Sequence, residues 1–374
     1  MDTRDFEIFL VTAPGLETAL AVEAKAKGFK EPKPVKGGVT VTGGWPEVWR
    51  ANLELRGAAR VLVRIASFRA MHLAQLDKRA HKVPWAEFLR ADAPFRVEAA
   101  CKASRIYHEK AAVQRIEQAI RDTVGAPMED EAEVAIKARI DDDLCTISID
   151  TTGESLHKRG HKAAVAKAPM RENLAALFLR QCGYDGQEPV LDPMCGSGTF
   201  VLEAAEIAAG LKPGRSRLFA FERLAGFDNV AWQKLRSAGE PRAIDPALRF
   251  HGRDRDAGAI RMSRANAERA GIAALTDFQA ADLADLAAPE GRPGLVIVNP
   301  PYGTRIGEKK VLLPLYRKLG ETLRARFTGW RVGAITNDAD LAAACALPFA
   351  APMGPVSHGG IRVWLYATGP LAHA

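Results

Sequence analysis

The chain of 374 residues is 47% hydrophobic and 26% charged, which excludes global disorder and suits two or three packed domains. Its lysines and arginines outnumber its aspartates and glutamates by 52 to 45, a mild basic surplus that favours polyanionic partners without proving one. Five scattered cysteines and eight histidines without ligand spacing argue against a disulfide scaffold and a metal site, and favour a reducing cytoplasm. No apolar run is long enough to span a membrane, and the polar first residues give no secretory signal.

The first 150 residues combine short strands and helices. Val61, Val63 and Ile65 alternate as in a half-buried strand. Further strands are predicted at 7–12, 35–42, 95–99, 134–138 and 144–149, and helices at 15–27 and 109–124. This interleaving is typical of α+β modules.

The charge is unevenly distributed along the chain. Between Arg50 and Lys110 there are 13 basic and 6 acidic residues, a surplus as large as the net charge of the whole chain. Residues 111–150 are acidic, and a second basic cluster begins with His157, Lys158 and Arg159. A single charge run is usually a solvated face, whereas two basic clusters favour a nucleic-acid surface. His157, Lys158 and Arg159 either contact phosphate or solvate a linker.

Beyond about residue 151 short apolar strands alternate with helices, which predicts a doubly wound parallel sheet. The predicted strands are 190–191, 248–250, 276–279, 295–298 and 331–335, and the helices are 172–180, 200–209, 257–269 and 312–326. The segments 350–356 and 361–366 flank a turn at 357–360 and predict an antiparallel hairpin at the sheet edge.

The first motif with chemical meaning runs from Val190 to Phe200, where a strand ends at Asp192 and a turn containing Gly196 and Gly198 leads into a helix. Glycines allow a close backbone approach to a ligand at the carboxyl end of a strand. The three-glycine dinucleotide pattern and the P-loop are both absent, and a carboxylate at this point suits a cationic amino group. The alternative is an ordinary strand-turn-helix corner.

The second motif is Asn299-Pro300-Pro301-Tyr302, directly after the apolar strand 295–298. Two prolines end the strand. The Asn299 amide oxygen and the Pro300 carbonyl can accept two N–H bonds, and the Tyr302 ring can stack on a flat group. The motif therefore predicts a pocket for a planar group that bears an exocyclic amine.

Together the two motifs resemble those of class I S-adenosylmethionine (AdoMet)-dependent methyltransferases that modify exocyclic amines. The segments Leu156–Gly160 and Ala168–Ala175 extend the resemblance to guanine-N2 RNA methyltransferases with an N-terminal THUMP domain, in particular to the N-terminal half of those acting on bacterial 23S rRNA. The likeness covers nearly the whole chain. It implies a Rossmann-like methyltransferase sheet at 156–374, a THUMP RNA-binding domain at 51–155 and a ferredoxin-like subdomain at 1–50.

The resemblance also assigns residues. Asn299, Pro300 and Tyr302 would be catalytic, and His157, Lys158 and Arg159 would contact RNA. The implied AdoMet-binding residues are Asp192, Pro193, Cys195, Gly196, Gly198, Asp254 and Asp282. Asp254 would bind the ribose hydroxyls, with Asp256 as its rival, and Asp282 would lie near the adenine amine. Any single aspartate could instead be a helix cap.

One segment departs from a minimal strand-helix-strand step, because residues 210–246 form an insertion between Asp192 and Asp254. Cys195 lies inside the cofactor turn, and an amine target needs no covalent intermediate, so we interpret it as a packing residue.

The implied activity is methyl transfer from AdoMet to guanine N2 in RNA, with 23S rRNA as the expected substrate. The alternatives are a tRNA guanine-N2 methyltransferase, a DNA adenine-N6 methyltransferase and a non-catalytic RNA-binding or ribosome-assembly factor. We expect neither a metal nor a membrane partner.

Overall fold

The computed structural model describes residues 5–160, 170–239, 242–302 and 309–373. These divide into two compact units. Unit 1 holds residues 5–12, 20–156 and 214–239, and unit 2 holds 13–19, 157–160, 170–213 and the described residues from 242 onward.

Unit 1 contains one seven-stranded sheet in which the first strand and the fourth strand pair directly, so the ferredoxin-like and THUMP regions share it. Its strands are β1 (Phe6–Val11), β2 (Lys33–Val35), β3 (Gly38–Gly43), β4 (Arg60–Arg69), β5 (Phe95–Lys102), β6 (Val134–Asp141) and β7 (Leu144–Asp150). Their order is β2-β3-β1-β4-β7-β6-β5, and only the described pairing of β5 with β6 is parallel. Val61 and Val63 of β4 are fully buried, as their alternation predicts.

The helices of unit 1 support this sheet. They are α1 (Glu17–Ala26), α2 (Trp45–Glu54), α3 (Leu73–Ala80) and α4 (Glu109–Val124). The residues of α1 before Leu20 belong to unit 2. The β6–β7 turn places Asp142 and Asp143 at φ of 51° and 59°, a left-handed conformation that aspartate tolerates.

The insertion between the two sequence motifs belongs to unit 1. Residues 214–239 lie in this unit, although the sequence predicts a continuous methyltransferase range of 156–374. A further helix, α7 (Asn229–Ser237), places Trp232 against Trp49 of α2, with 6.4 Å between ring centroids. Phe221 lies 4.9 Å from Trp232 in an edge-to-face contact. The insertion therefore supplies an aromatic cluster to the unit that precedes it in sequence.

Unit 2 contains the predicted doubly wound sheet. Its strands are β8 (Val190–Asp192), β9 (Phe250–Asp254), β10 (Thr276–Ala280), β11 (Leu295–Val298), β12 (Arg331–Thr336), β13 (Met353–His358) and β14 (Ile361–Ala367). The order is β10-β9-β8-β11-β12-β14-β13, parallel from β10 to β12 and antiparallel at β14 and β13.

Helices cover both faces of this sheet. They are α5 (Glu172–Gln181), α6 (Thr199–Ala208), α8 (Ala257–Ala270), α9 (Lys309–Arg326) and α10 (Ala339–Ala344). Tyr316, Leu319 and Leu323 of α9 share a buried cluster with Val298 of β11 and Ala334 of β12. Burying an apolar side chain of this size contributes about 1.5–3 kcal/mol, so this cluster holds the strands whose ends carry the second motif.

The predicted fold class is confirmed, with local differences in its elements. The single strand predicted at 35–42 is instead the antiparallel pair of β2 and β3, because Gly37, with φ of 83°, turns the chain between them. The second strand of unit 2 continues through Asp254 instead of ending at Phe250. The hairpin turn is Gly359-Gly360, shorter than expected, because Ser357 and His358 still pair with β14. No helix in the described ranges is long and apolar enough to cross a membrane.

Candidate active site

The turn after β8 is shaped by two glycines and one carboxylate. Gly196 and Gly198 have φ of 54° and 85°, where residues with a Cβ are strained. A Cβ on Gly198 would lie 3.1 Å from the Ser263 Oγ atom and 3.2 Å from the Phe278 ring. The backbone N–H of Met194 donates to Asp192 Oδ1 at 3.0 Å. The turn is therefore both conformationally restricted and closely packed.

Asp254 at the end of β9 connects the turn to the neighbouring strand. Its Oδ2 accepts a hydrogen bond from the Gly196 N–H at 2.9 Å, and its Oδ1 accepts one from the Asp256 N–H at 2.9 Å. Asp256 itself caps α8 by accepting the Gly258 N–H at 2.7 Å. Of these two carboxylates, Asp254 is the one that contacts the glycine turn.

Burial controls the ionisation of this turn. Asp192 is only 2% exposed, and burial raises its pKa to about 8, with the nearby Asp254 carboxylate adding to the rise. Burial also raises the pKa of the Cys195 thiol well above its usual range, and both carboxylates reinforce this. Cys195 is therefore held as a neutral thiol, which suits a packing residue and not a nucleophile.

Asp282 lies away from this buried set. It follows β10, is exposed, and accepts the backbone N–H of Ala284 at 3.0 Å. Its carboxylate thus orders a turn at the same carboxyl edge of the sheet that carries Asp192 and Asp254.

The second motif follows β11, which pairs directly with β8. The Asn299 Oδ1 atom is buried and accepts no hydrogen bond from the described residues. Pro300 is buried beside it. The Tyr302 hydroxyl lies 3.3 Å from His358 Nδ1, and burial raises the pKa of Tyr302 to about 12, so its phenol is neutral. Because parallel strands end at one edge, the sheet brings both motifs together.

The three basic residues at 157–159 have different surroundings. His157 is half-buried and Lys158 is exposed. Arg159 is only 1% exposed, and its Nε donates to Glu203 Oε1 at 3.0 Å. A guanidinium enclosed in this ion pair cannot reach RNA phosphate, so the expected role of Arg159 is corrected to an internal one. The buried Glu203 provides the physical reason, since a buried carboxylate requires a partner.

Besides Asn299, three amide side chains have a buried oxygen without a described partner, namely Asn173, Gln181 and Asn337, and the sequence analysis singled out none of them. Asn337, directly after β12, and Asn173, in the first turn of α5, each have a buried Oδ1 atom without a partner among the described residues. Sequence reasoning could have found Asn337 because it follows a predicted strand, as Asn299 does. Asn173 lies in the segment that carries the family resemblance, but no role was assigned to it.

Comparison with known proteins identifies the family of this fold and site. The family model "RMKL-like, methyltransferase domain" matches residues 159–358, which is more than half of the chain. The chain belongs to this RMKL-like methyltransferase family. Models of the RlmL ferredoxin-like domain and of the THUMP domain match residues 7–62 and 70–150 of this RMKL-like protein.

Individual relatives agree with this assignment. The chain is 35% identical over 360 residues to ribosomal RNA large subunit methyltransferase K/L of Chromohalobacter salexigens, covering 91% of this chain and 49% of that protein. The crystal structure of SMU.472 complexed with SAH aligns with a TM-score of 0.89 at 28% identity, covering 100% of this chain and 99% of the other. A predicted N6-adenine-specific DNA methylase from Listeria monocytogenes aligns with a TM-score of 0.87 at 29% identity, covering 98% and 97%. The chain spans about half the length of the curated relatives it matches.

Within the described ranges no cluster of three histidine, cysteine or acidic side chains could hold a metal ion. The candidate site consists of carboxylate, amide, phenol and backbone groups at the carboxyl edge of the sheet.

Proposed function

We propose that this chain transfers a methyl group from AdoMet to the exocyclic N2 amine of a guanine in RNA, with 23S rRNA as its substrate. The observation that carries the proposal is the buried, unpaired Oδ1 atom of Asn299 at the same sheet edge as the glycine turn. An unpaired buried acceptor costs about 1–3 kcal/mol, and a bound amine would remove that cost.

The turn after β8 suits AdoMet. AdoMet would supply an already activated sulfonium methyl group. Asp192 is buried with no described cation beside it, so its carboxylate can receive the ammonium group of a ligand. Pro193, Cys195, Gly196 and Gly198 would line this ligand, and the positive φ values of the two glycines set the course of the backbone around it.

Two carboxylates would complete this binding site. Asp254 would hold ribose hydroxyls with its remaining lone pairs, and Asp282 would receive the adenine amine. The complex of SMU.472 with SAH, the demethylated form of AdoMet, supports a ligand of this class.

The residues after β11 would act on the base. Guanine N2 is a poor nucleophile because its lone pair is delocalised into the ring. Asn299 Oδ1 and the Pro300 carbonyl would accept its two N–H bonds, which concentrates the lone pair on nitrogen and orients it. Tyr302, held near His358 at 3.3 Å, would stack on the base. Most of the rate enhancement would come from positioning and exclusion of water.

RNA would bind through unit 1 and the exposed Lys158. The basic surplus between Arg50 and Lys110 lies in unit 1, which includes the THUMP match, and phosphate contacts of this kind depend strongly on salt. The rRNA substrate is inferred from the name of the K/L relatives, and a cytoplasmic location follows from that substrate. The target base must be unpaired or flipped out to enter the site.

The test is methyl transfer from labelled AdoMet to total RNA of a strain lacking the gene, followed by nucleoside analysis. We expect N2-methylguanosine in the large-subunit rRNA fraction and a loss of at least about 100-fold in kcat for Asn299→Ala. Label in the tRNA fraction would make tRNA the substrate. In a parallel assay with DNA of the same strain, N6-methyladenine would identify a DNA adenine methyltransferase instead. If neither label nor AdoMet binding were detected, the alternative of a non-catalytic RNA-binding or ribosome-assembly factor would remain.

A control variant separates the mechanism from folding. Asn229→Ala changes an exposed asparagine on α7 and should retain full activity. If Asn299→Ala bound AdoMet normally and kept most of the turnover, the amine-acceptor mechanism would be wrong.

A further inference from the structure

A second amide group follows β12, the strand that pairs with β11. Asn337 directly follows β12, and its Oδ1 atom is buried without a hydrogen-bond partner among the described residues. Its two neighbours are engaged: the Thr336 Oγ1 atom is 3.3 Å from the Tyr316 hydroxyl, and Asp338 Oδ1 accepts the Asp340 N–H at 2.8 Å. Asn337 is thus the polar side chain at this strand end that still lacks a partner for its oxygen.

The register of the sheet places this amide near Asn299. Val298 of β11 pairs with Ala334 of β12, so the next residues, Asn299 and Ile335, are opposite each other if the register continues. Asn337 is two residues beyond Ile335. Side chains alternate along an extended strand, so Asn299, Ile335 and Asn337 fall on one face.

Contacts on the two faces agree with this alternation. Thr336 contacts Tyr316 of α9, whereas a Cβ on Gly333 would meet the Sγ atom of Cys182, just after α5. Gly333 and Asn337 are separated by an even number of residues. Asn337 therefore belongs to the α5 side of the sheet, as does Asn299, while Thr336 belongs to the α9 side.

Guanine differs from other bases in the groups next to its amine. Its Watson–Crick edge presents the N2 amine and the adjacent N1–H as neighbouring donors, whereas adenine presents a lone pair at N1. An acceptor beside the amine pocket therefore favours guanine, and it faces a lone pair when N1 carries no hydrogen.

Resting on the proposed function, we infer that Asn337 is the base-specificity residue and that its Oδ1 atom accepts the N1–H of the target guanine. Two buried acceptors, Asn299 and Asn337, then receive adjacent donors of one base. A base that leaves Asn337 unpaired loses one hydrogen bond and keeps the cost of the buried oxygen.

The test uses the RNA that the wild-type protein methylates, with the target guanosine replaced by 2,6-diaminopurine riboside. This base keeps the 2-amino group but has no hydrogen on N1. We expect the wild type to prefer guanosine by about 10- to 100-fold in kcat/KM. Asn337→Ala should lose most of that preference, because its kcat/KM for guanosine falls while its kcat/KM for the analogue does not. Asn337→Asp, which retains an acceptor, should keep the preference, and Asn337→Gln, which displaces the amide, should lose it.

The outcomes separate this inference from the proposed function. An unchanged guanosine preference in Asn337→Ala and Asn337→Gln would overturn the role of Asn337 while leaving methyl transfer intact. If the wild type methylated no guanosine, the proposed function itself would fail. If Asn337→Ala did not fold, as judged by thermal unfolding and AdoMet binding, the contrast between Asn337→Asp and Asn337→Gln would decide the question.

Discussion

At the scale of single residues, Asp192 couples burial to ligand binding. Its carboxyl has one described side-chain hydrogen bond, from the Met194 N–H, and its pKa is raised to about 8, mainly by burial. In the free protein it is therefore mostly protonated at pH 7. A cationic ammonium beside it would stabilise the carboxylate and lower that pKa, because opposite charges favour the ionised form.

This gives a pH prediction for AdoMet binding. At pH 7 binding should release about one proton, and affinity should increase as pH rises toward the pKa of free Asp192. Asp192→Asn should release no proton at this site and should weaken binding about 10- to 100-fold, since a charged hydrogen bond is lost. Calorimetry in buffers of different ionisation enthalpy measures the proton count. An equal proton release by wild type and variant would assign it to another group.

At the scale of elements, the turn between β8 and α6 depends on α8. The Ser263 Oγ of α8 donates to the Gly196 carbonyl at 2.9 Å, and Asn266 Nδ2 donates to the Ser197 carbonyl at 3.1 Å. Two side chains from one helix thus hold the carbonyl groups of the turn, while its glycines keep their positive φ values. A neighbouring helix therefore satisfies two backbone carbonyl groups of the turn.

Gly198→Ala tests this element. The substitution combines a left-handed conformation with contacts of 3.1 and 3.2 Å to Ser263 and Phe278. We expect a stability loss of about 2 kcal/mol or more and at least a tenfold loss of AdoMet affinity. Thermal unfolding and calorimetry measure the two effects.

Gly271→Ala is the matched control. Gly271 has a similar φ of 73° after α8, but a Cβ there would meet nothing within 4 Å. It should cost about 1 kcal/mol of stability and leave AdoMet affinity unchanged. Equal binding losses in the two variants would show that the close packing of the turn is unimportant.

At the scale of the whole molecule, each unit is built from segments that are separated in the sequence. The family model for the methyltransferase domain covers residues 159–358 without interruption, yet residues 214–239 within that range belong to unit 1. The insertion contributes Trp232, which is fully buried, to a cluster with Trp49 and Phe221. We infer that unit 1 needs this later segment for its stability.

Trp232→Ala should therefore weaken unit 1 by about 3–5 kcal/mol, the usual cost of removing a buried tryptophan. Hydrogen exchange of the full chain should show the first loss of protection in α2, not in β8 or β11 of unit 2. Val230→Ala, which changes an 81% exposed side chain on the same helix, should stay within about 0.5 kcal/mol of wild type. A loss of protection confined to unit 2 would contradict this assignment.

The sequence by itself determined most of the strands, part of the helices and both motifs. Strand alternation, helical periodicity and the glycine and proline signals act within about ten residues, so they predicted the parallel sheet, the helix at Glu109–Val124 and the end of β11 directly before Asn299. The family resemblance carried the THUMP and methyltransferase assignments, which the family models confirm.

Only the tertiary structure decided how distant residues are used. The pairing of β11 with β12 set Asn299 and Asn337 at the ends of neighbouring strands, the pairing with Glu203 removed Arg159 from the surface, and the contact with Trp49 placed Trp232 in unit 1. These outcomes depend on packing between segments far apart in sequence, because burial and pairing are properties of the assembled sheet and its helices. Local periodicity contains no information about which partner a side chain will meet.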